Sequence, residues 1–430
     1  MLRRARSLLL GAPAWRRALY VDGALAGINS AVVGGTVLTG LVLWAGGGAF
    51  ELGLLSALTT GGGLFVLAIR RVQRRLRTNR QLTTVTWTAA WAAWLPLAIV
   101  LGLIALLGGA GRVLAIPLLL ITAFVSAALI GIGNISWSGW IGQLVPRAHR
   151  GGFIAQQARC LSLAALVALP IIGYLLDRAQ VVRFEALVFA LLAGVPALLA
   201  LARWRLLGSV PETQAEQPAV GPRRLARAFE LIPAGRMAAY TIIWQVSVYM
   251  AAPFFQAFSL DRLKMSFSEL MYLQVLAQII PVLTLGWWGG IVDRVGIRMP
   301  LALCTIGKAL VPVCYLLATP TAWWPVIGAF ALSVLDAGLT ISINSAYTQL
   351  AEGRNGSARV AHISIITSLS ASITPVVAGF LVSSVHIGSL DLFVVLFGCS
   401  AVGRAVSALP LILPRRHTYR DQLHQPRVVG

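Results

Sequence analysis

Long apolar runs, broken by short polar and mostly basic stretches, set the plan of this chain. They cover residues 20–44, 51–69, 81–107, 113–144, 153–176 and 184–201, then 237–258, 268–290, 300–317, 323–350, 358–385 and 390–413. Each run comes close to the ~20 residues a helix needs to cross hydrocarbon, so the pattern predicts an all-α membrane protein of about twelve spans. The first run carries Asp22, Asn29 and Ser30, and a helix spotted with polar groups faces protein or water rather than lipid. The third carries Trp87, Trp91 and Trp94 at helical spacing, which reads as packing or an interfacial belt. After residue 69 the cluster RRVQRRLRTNR requires an aqueous loop.

The longest break falls at residues 208–235, which hold four prolines, mixed charge and no long apolar run. It reads as a linker, and its stretch 225–232 has the pattern of a short amphipathic helix on the membrane surface. The expected organisation is a six-helix bundle at 1–207, a cytoplasmic linker at 208–236, a second six-helix bundle at 237–413 and a cytoplasmic tail at 414–430.

The two halves repeat. Ile135-Ser136 and Gln143-Leu144 match Ile341-Ser342 and Gln349-Leu350 at one fixed offset, at which Gly173-Tyr174-Leu175 also meets Gly379-Phe380-Leu381. Glu51-Leu52 and Leu55 match Glu269-Leu270 and Leu273 at a second offset. An ordered set of matches of this kind is the sequence mark of a duplicated transporter.

Composition removes most other classes. Of 430 residues, 58% are hydrophobic and 11% charged, against about 25% charged in soluble proteins. The net charge of +21 suits nucleic acid in principle, but the basic residues gather at one end of the spans. That is the positive-inside bias, and it places both termini in the cytoplasm and the multi-pass chain in the cell's inner, cytoplasmic membrane. Nucleic acid is excluded as a partner; lipid and a small solute are expected, with the chain a monomer. Cys160, Cys304, Cys314 and Cys399 all lie in apolar runs without a C-x-x-C pair and read as packing residues. The N-terminal apolar core is too short for a cleaved signal peptide. No G-x-x-x-x-G-K-[ST] loop, H-x-x-x-H pair or metal-ligand cluster is present in the sequence, so no cofactor, no metal and no enzymatic activity are expected.

Between the eighth and ninth spans stands GGIVDRVGIR, from Gly289 to Arg298. Its small Gly289 and Gly290 permit close packing, Asp293 supplies a carboxylate, Arg294 and Arg298 supply guanidinium groups, and Gly296 supplies a turn. The spacing G-x-x-x-D-R-x-G-x-R resembles the signature loop of the major facilitator superfamily of secondary transporters. Pro146, Arg150 and Gly151 are similar to its P-x-x-x-R-G pattern. The first-half copy departs from it, with Arg74 and Arg77 where Asp293 and Gly296 stand in the second. The arginine that the family's proton-coupled antiporters carry before a G-x-G is also replaced, by Ala127 before Gly131-Ile132-Gly133.

The resemblance implies two pseudo-symmetric six-helix bundles, with spans 1, 4, 7 and 10 around a central cavity. It makes the chain a secondary transporter working by alternating access, with proton-coupled efflux as one form; the alternative is a transport-inactive receptor or assembly factor on the same fold. Asp336, about 20 Å along the tenth span, and Asp22 are the candidate proton carriers. Asp336 alternatively forms an ion pair with Arg404 or Lys308. Asn29, Asn134, Gln245 and Asn344 are the candidate solute ligands, each able instead to join helices. Arg159, Lys308 and Arg404 against Asp336 tilt the buried charge toward an anionic or amphiphilic solute. By resemblance, Asp293 meets the start of the fifth span near Gly151 and Gly152 with Arg150 beside it, as a one-sided conformational latch.

Overall fold

The computed structural model describes residues 13–61, 76, 78–108, 111–212, 236–351, 356–384 and 391–412. In chain order the helices are α1 (Ala14–Trp44), α2 (Ala49–Thr60), α3 (Asn79–Leu106), α4 (Arg112–Leu144), α5 (Arg147–Val182) and α6 (Glu185–Gly208), then α7 (Met237–Arg262), α8 (Phe267–Val295), α9 (Arg298–Leu317), α10 (Pro325–Tyr347), α11 (Gly356–Ser384) and α12 (Leu392–Ile412). Eleven are long and apolar enough to cross a membrane, and α2 is a shorter apolar helix. The rest of the second predicted span, the cluster at 70–75, Arg77, the stretch 225–232 and the tail 414–430 lie outside the described residues.

A helix is required here because hydrocarbon offers backbone groups no other partner. Its interruptions follow the sequence: α3 breaks at Ala93–Trp94 just before Pro96, and α9 breaks at Ala309 before Pro312, where the ring removes an N–H. Helix α10 breaks at Leu332–Ser333 and restarts at Val334. Two predicted ends move. Helix α5 begins at Arg147 and runs to Val182, and α6 continues past residue 201 to Gly208, carrying Arg203 inside the bundle rather than into a loop. The first residues of the expected linker are anchored, since Trp140 Nε1 donates to Pro211 O at 2.9 Å and Arg80 pairs with Glu212.

Helices α1–α6 and α7–α12 form two bundles that meet through α2 against α11 and α5 against α8. At these crossings glycine is needed for space. A Cβ on Gly379 would stand 2.6 Å from Ala49 O, one on Gly53 would strike Pro375 O, and one on Gly173 would stand 2.9 Å from Ser268 Cα. Thr60 Oγ1 donates to Ala371 O at 3.0 Å, Thr39 Oγ1 to Gln256 Oε1 at 3.4 Å, and Gln274 to Thr36.

Apart from Thr60–Ala371, which lies near mid-span, these contacts lie in the half of the molecule away from the basic helix ends, here termed the opposite face. At the basic face a Cβ on Gly152, Gly289 or Gly290 meets nothing within 4 Å among the described residues.

Gly379→Leu forces a side chain into the Ala49 backbone and should cost about 1–3 kcal/mol. Gly286→Leu, at a site with open space around it, should stay within about 0.5 kcal/mol. Equal melting temperatures for the two detergent-purified variants would refute the packing argument.

Candidate functional site

Asp22 on α1 and Arg203 on α6 are 1% and 4% exposed. Arg203 Nε lies 2.8 Å from Asp22 Oδ1 and Nη2 donates to Oδ2 at 3.0 Å, a side-on pair that uses both carboxylate oxygens. The guanidinium carbon sits 4.2 Å from the Trp87 ring centre and 3.9 Å from that of Trp91, both on α3. Burying two ions is costly, and the cost is met here by one hydrogen bond, a second close ionic contact and two indoles on the cation. The tryptophan stripe therefore does more than pack, holding a charge that the apolar pattern had placed outside the helix.

This pair forms one wall of a cavity of about 350 Å³ lined by Asn29, Asn134 and Gln157 besides the two tryptophans. Asn29 is 7% exposed, and its Oδ1 accepts no hydrogen bond among the described residues. Asn134 is exposed to the cavity space and also lines a second cavity of about 440 Å³, walled by Trp94, Ser126 and Thr59. Trp94 Nε1 donates to Ser126 Oγ at 3.3 Å there. The cavities share Ile130 and Asn134, and both fall within the ~300–1,000 Å³ of small-molecule sites. The only charged groups lining them among the described residues, Asp22 and Arg203, neutralise one another.

Three of the candidate residues, Asp22, Asn29 and Asn134, thus come together. The other three sit in the second bundle. Asp336 pairs with Lys308 Nζ at 2.8 Å, and Arg404 Nη1 donates to Lys308 O at 3.1 Å, so of the two partners considered Lys308 is the one engaged. The Asp336 side chain is 45% exposed, and it lies in the first turn of the helix that restarts after the break in α10. Gln245 is half-buried on α7 and Asn344 exposed on α10. Arg159 is exposed, so the count of buried cations behind an anionic solute drops, and the Asp22–Arg203 pair adds no net charge.

At the basic face Gly296 ends α8 with φ at 81°, a backbone that favours glycine. Asp293, Arg294 and Arg298 are exposed, and Asp293 has no ion pair among the described residues. Arg150 Nε donates to Val145 O at 2.9 Å and its Nη2 to Gly142 O, closing the end of α4. Gly151 lies in the first turns of α5. Arg74 and Arg77 fall outside the described residues. The residues that sequence reasoning missed are Arg203, Gln157 and, at the opposite face, Asp177. An arginine inside the apolar run ALLALARWRLLG was the available signal for the first.

Comparison with known proteins gives a consistent picture. The sequence profile of the Major Facilitator Superfamily matches residues 90–358, more than half of the chain. The chain is similar to the crystal structure of the nucleoside transporter NupG (14% identity, 93% of this chain and 98% of that one, TM-score 0.68). It is similar to a D-xylose-proton symporter (12%, 93% and 97%, TM-score 0.70) and to the inward-open xylose transporter XylE from E. coli (13%, 95% and 98%, TM-score 0.66). No curated protein matches it by sequence.

Removing one member of the buried pair strands the other. Arg203→Ala should cost about 3–5 kcal/mol, and Asp22→Asn combined with Arg203→Gln should recover more than half of that. Denaturant titration of the three proteins measures it, and a double variant no better than the single would deny the pairing.

Proposed function

The chain belongs to the Major Facilitator Superfamily, and from that premise we propose that it is a secondary transporter moving a small, uncharged, hydrogen-bonding solute by alternating access. Members of this superfamily are multi-pass membrane proteins that carry solutes rather than catalyse reactions. The observation that carries the proposal is the charge-balanced cavity of the first bundle. Among the described residues the ions lining the site cancel and offer no fixed charge to an ionic solute, whereas Asn29, Asn134 and Gln157 offer hydrogen bonds and the indoles an apolar face. The similar structures include transporters of nucleosides and of xylose, which are neutral hydroxylated compounds.

By the positive-inside bias the basic face is cytoplasmic, both termini lie there, and the membrane is the inner, cytoplasmic one. Asp293 forms no ion pair among the described residues, and in the latch reading it would meet the start of α5 near Arg150 and Gly151 when the basic face closes.

For proton coupling, Asp22 is better placed than Asp336. Its carboxylate borders the cavity and its charge is held by Arg203, so protonation there changes the field the solute meets. Asp336 is tied to Lys308 in the other bundle.

A thermal-shift screen on purified protein with pentoses and nucleosides, followed by uptake of the hits into proteoliposomes, tests this reading. Uptake should be driven by a pH gradient in the wild type, lose that dependence in Asp22→Asn and keep it in Asp336→Asn. Binding without flux would favour a receptor, and charged solutes alone stabilising the protein would remove the neutral-solute assignment.

A further inference from the structure

Helix α8 begins with Ser266 as its N-cap. Ser266 Oγ accepts from the Glu269 N–H at 3.1 Å, and Glu269 Oε2 accepts from the Ser266 N–H at 2.8 Å. This reciprocal box satisfies two of the donors at the helix start and leaves the N–H groups of Phe267 and Ser268 without a partner inside α8. Asp177, near the end of α5, takes both. Phe267 N–H donates to Oδ1 at 2.7 Å and Ser268 N–H to Oδ2 at 3.0 Å. A carboxylate of the first bundle thus completes the N-terminus of a helix in the second, where the helix dipole favours negative charge.

Gly173, one turn earlier on α5, has Ser268 Cα and Met271 against it, so the approach is built into the backbone. The neighbouring Arg178 donates to Tyr174 Oη at 3.0 Å and forms no ion pair with Asp177. Because the box holds the start of α8 by itself, releasing Asp177 uncovers only two N–H groups, which water can satisfy at the opposite face. The contact is therefore breakable without unravelling the helix.

The same two helices carry the reverse arrangement at their other ends. Asp293 lies in the last turn of α8, on the face where α5 begins, and is exposed here. We propose that Asp177 is the opposite-face counterpart of the basic-face latch read above at Asp293: a positioning residue that holds the state closed at the opposite face and lets go in exchange with Asp293 as the basic face closes. This rests on the alternating-access reading above, which uptake tests, whereas the exchange is read from distances alone.

Spin labels at Gln180→Cys on α5 and Lys264→Cys before α8, both exposed positions lining the opposite-face crevice, report its opening in a background with the native cysteines replaced. Asp177→Asn should raise the ratio of long to short distances about tenfold, Asp293→Asn should lower it, and Asp177→Glu should restore part of the short population. Asp177→Ser is made alongside Asn so that either folded variant gives the reading. An unchanged distribution in these Asp177 variants, or loss of folding in both Asn and Ser variants, overturns the proposal. Flux that fails while the distances shift as stated leaves the exchange intact and sinks the transport reading instead.

Discussion

Every polar group placed inside an apolar slab must find a partner within the protein, and that constraint shapes this molecule more than any single packing contact. It forces the helices, and it explains why Asp22 is met by Arg203 across two helices and why two tryptophan faces close over the cation. In the second bundle it yields a looser solution. Lys308 meets Asp336 through its side chain and receives Arg404 through its backbone carbonyl.

The constraint also gives the cavity its character. Once Asp22 and Arg203 have cancelled, what remains on the wall is a set of carboxamides, of which Asn29 keeps an oxygen without a partner among the described residues. A buried acceptor left open beside a cavity is an invitation to a donor, whether solute or water, because leaving it unmet costs about 1–3 kcal/mol. Asn134 sits where the two cavities of the first bundle join, so a solute passing between them meets it in either.

Much of this was legible in the sequence because hydrophobic runs and repeat matches report the quantity a membrane tests, apolar length. The spans, the two bundles and the turn at Gly296 follow from it. What such runs cannot report is direction around a helix. Arg203 reads as the end of a span when counted by hydropathy, yet it points into the bundle, where α1 and α3 supply a carboxylate and two rings. Asp336 lies near the middle of the α10 span, but its side chain is 45% exposed and its charge is met by Lys308. Asp177 falls just past an apolar run and looks like an ordinary loop acid, since its two partners are N–H groups that no side-chain pattern reveals.

The distribution of bond strengths then bears on motion. Each ion pair among the described residues lies within one bundle: Asp22 with Arg203 and Arg80 with Glu212 in the first, Lys308 with Asp336, Arg262 with Asp391 and Lys264 with Asp261 in the second. Only Asp22–Arg203 is buried on both sides; breaking such a pair costs about 3–5 kcal/mol, which favours a first bundle that moves as a unit. Between the bundles the described contacts are of another kind: close backbone approach at glycines, single hydrogen bonds such as Thr60 to Ala371 and Thr39 to Gln256, and the two N–H bonds that Asp177 accepts from the start of α8. A neutral hydrogen bond of this kind is worth about 0.5–1.5 kcal/mol net and one to a carboxylate about 1.5–3, and at the aqueous face water takes over when the surfaces part. A protein that keeps its costly bonds inside each half and its replaceable ones between halves can rock without unfolding, which is the mechanical condition for exposing one site to two sides of a membrane.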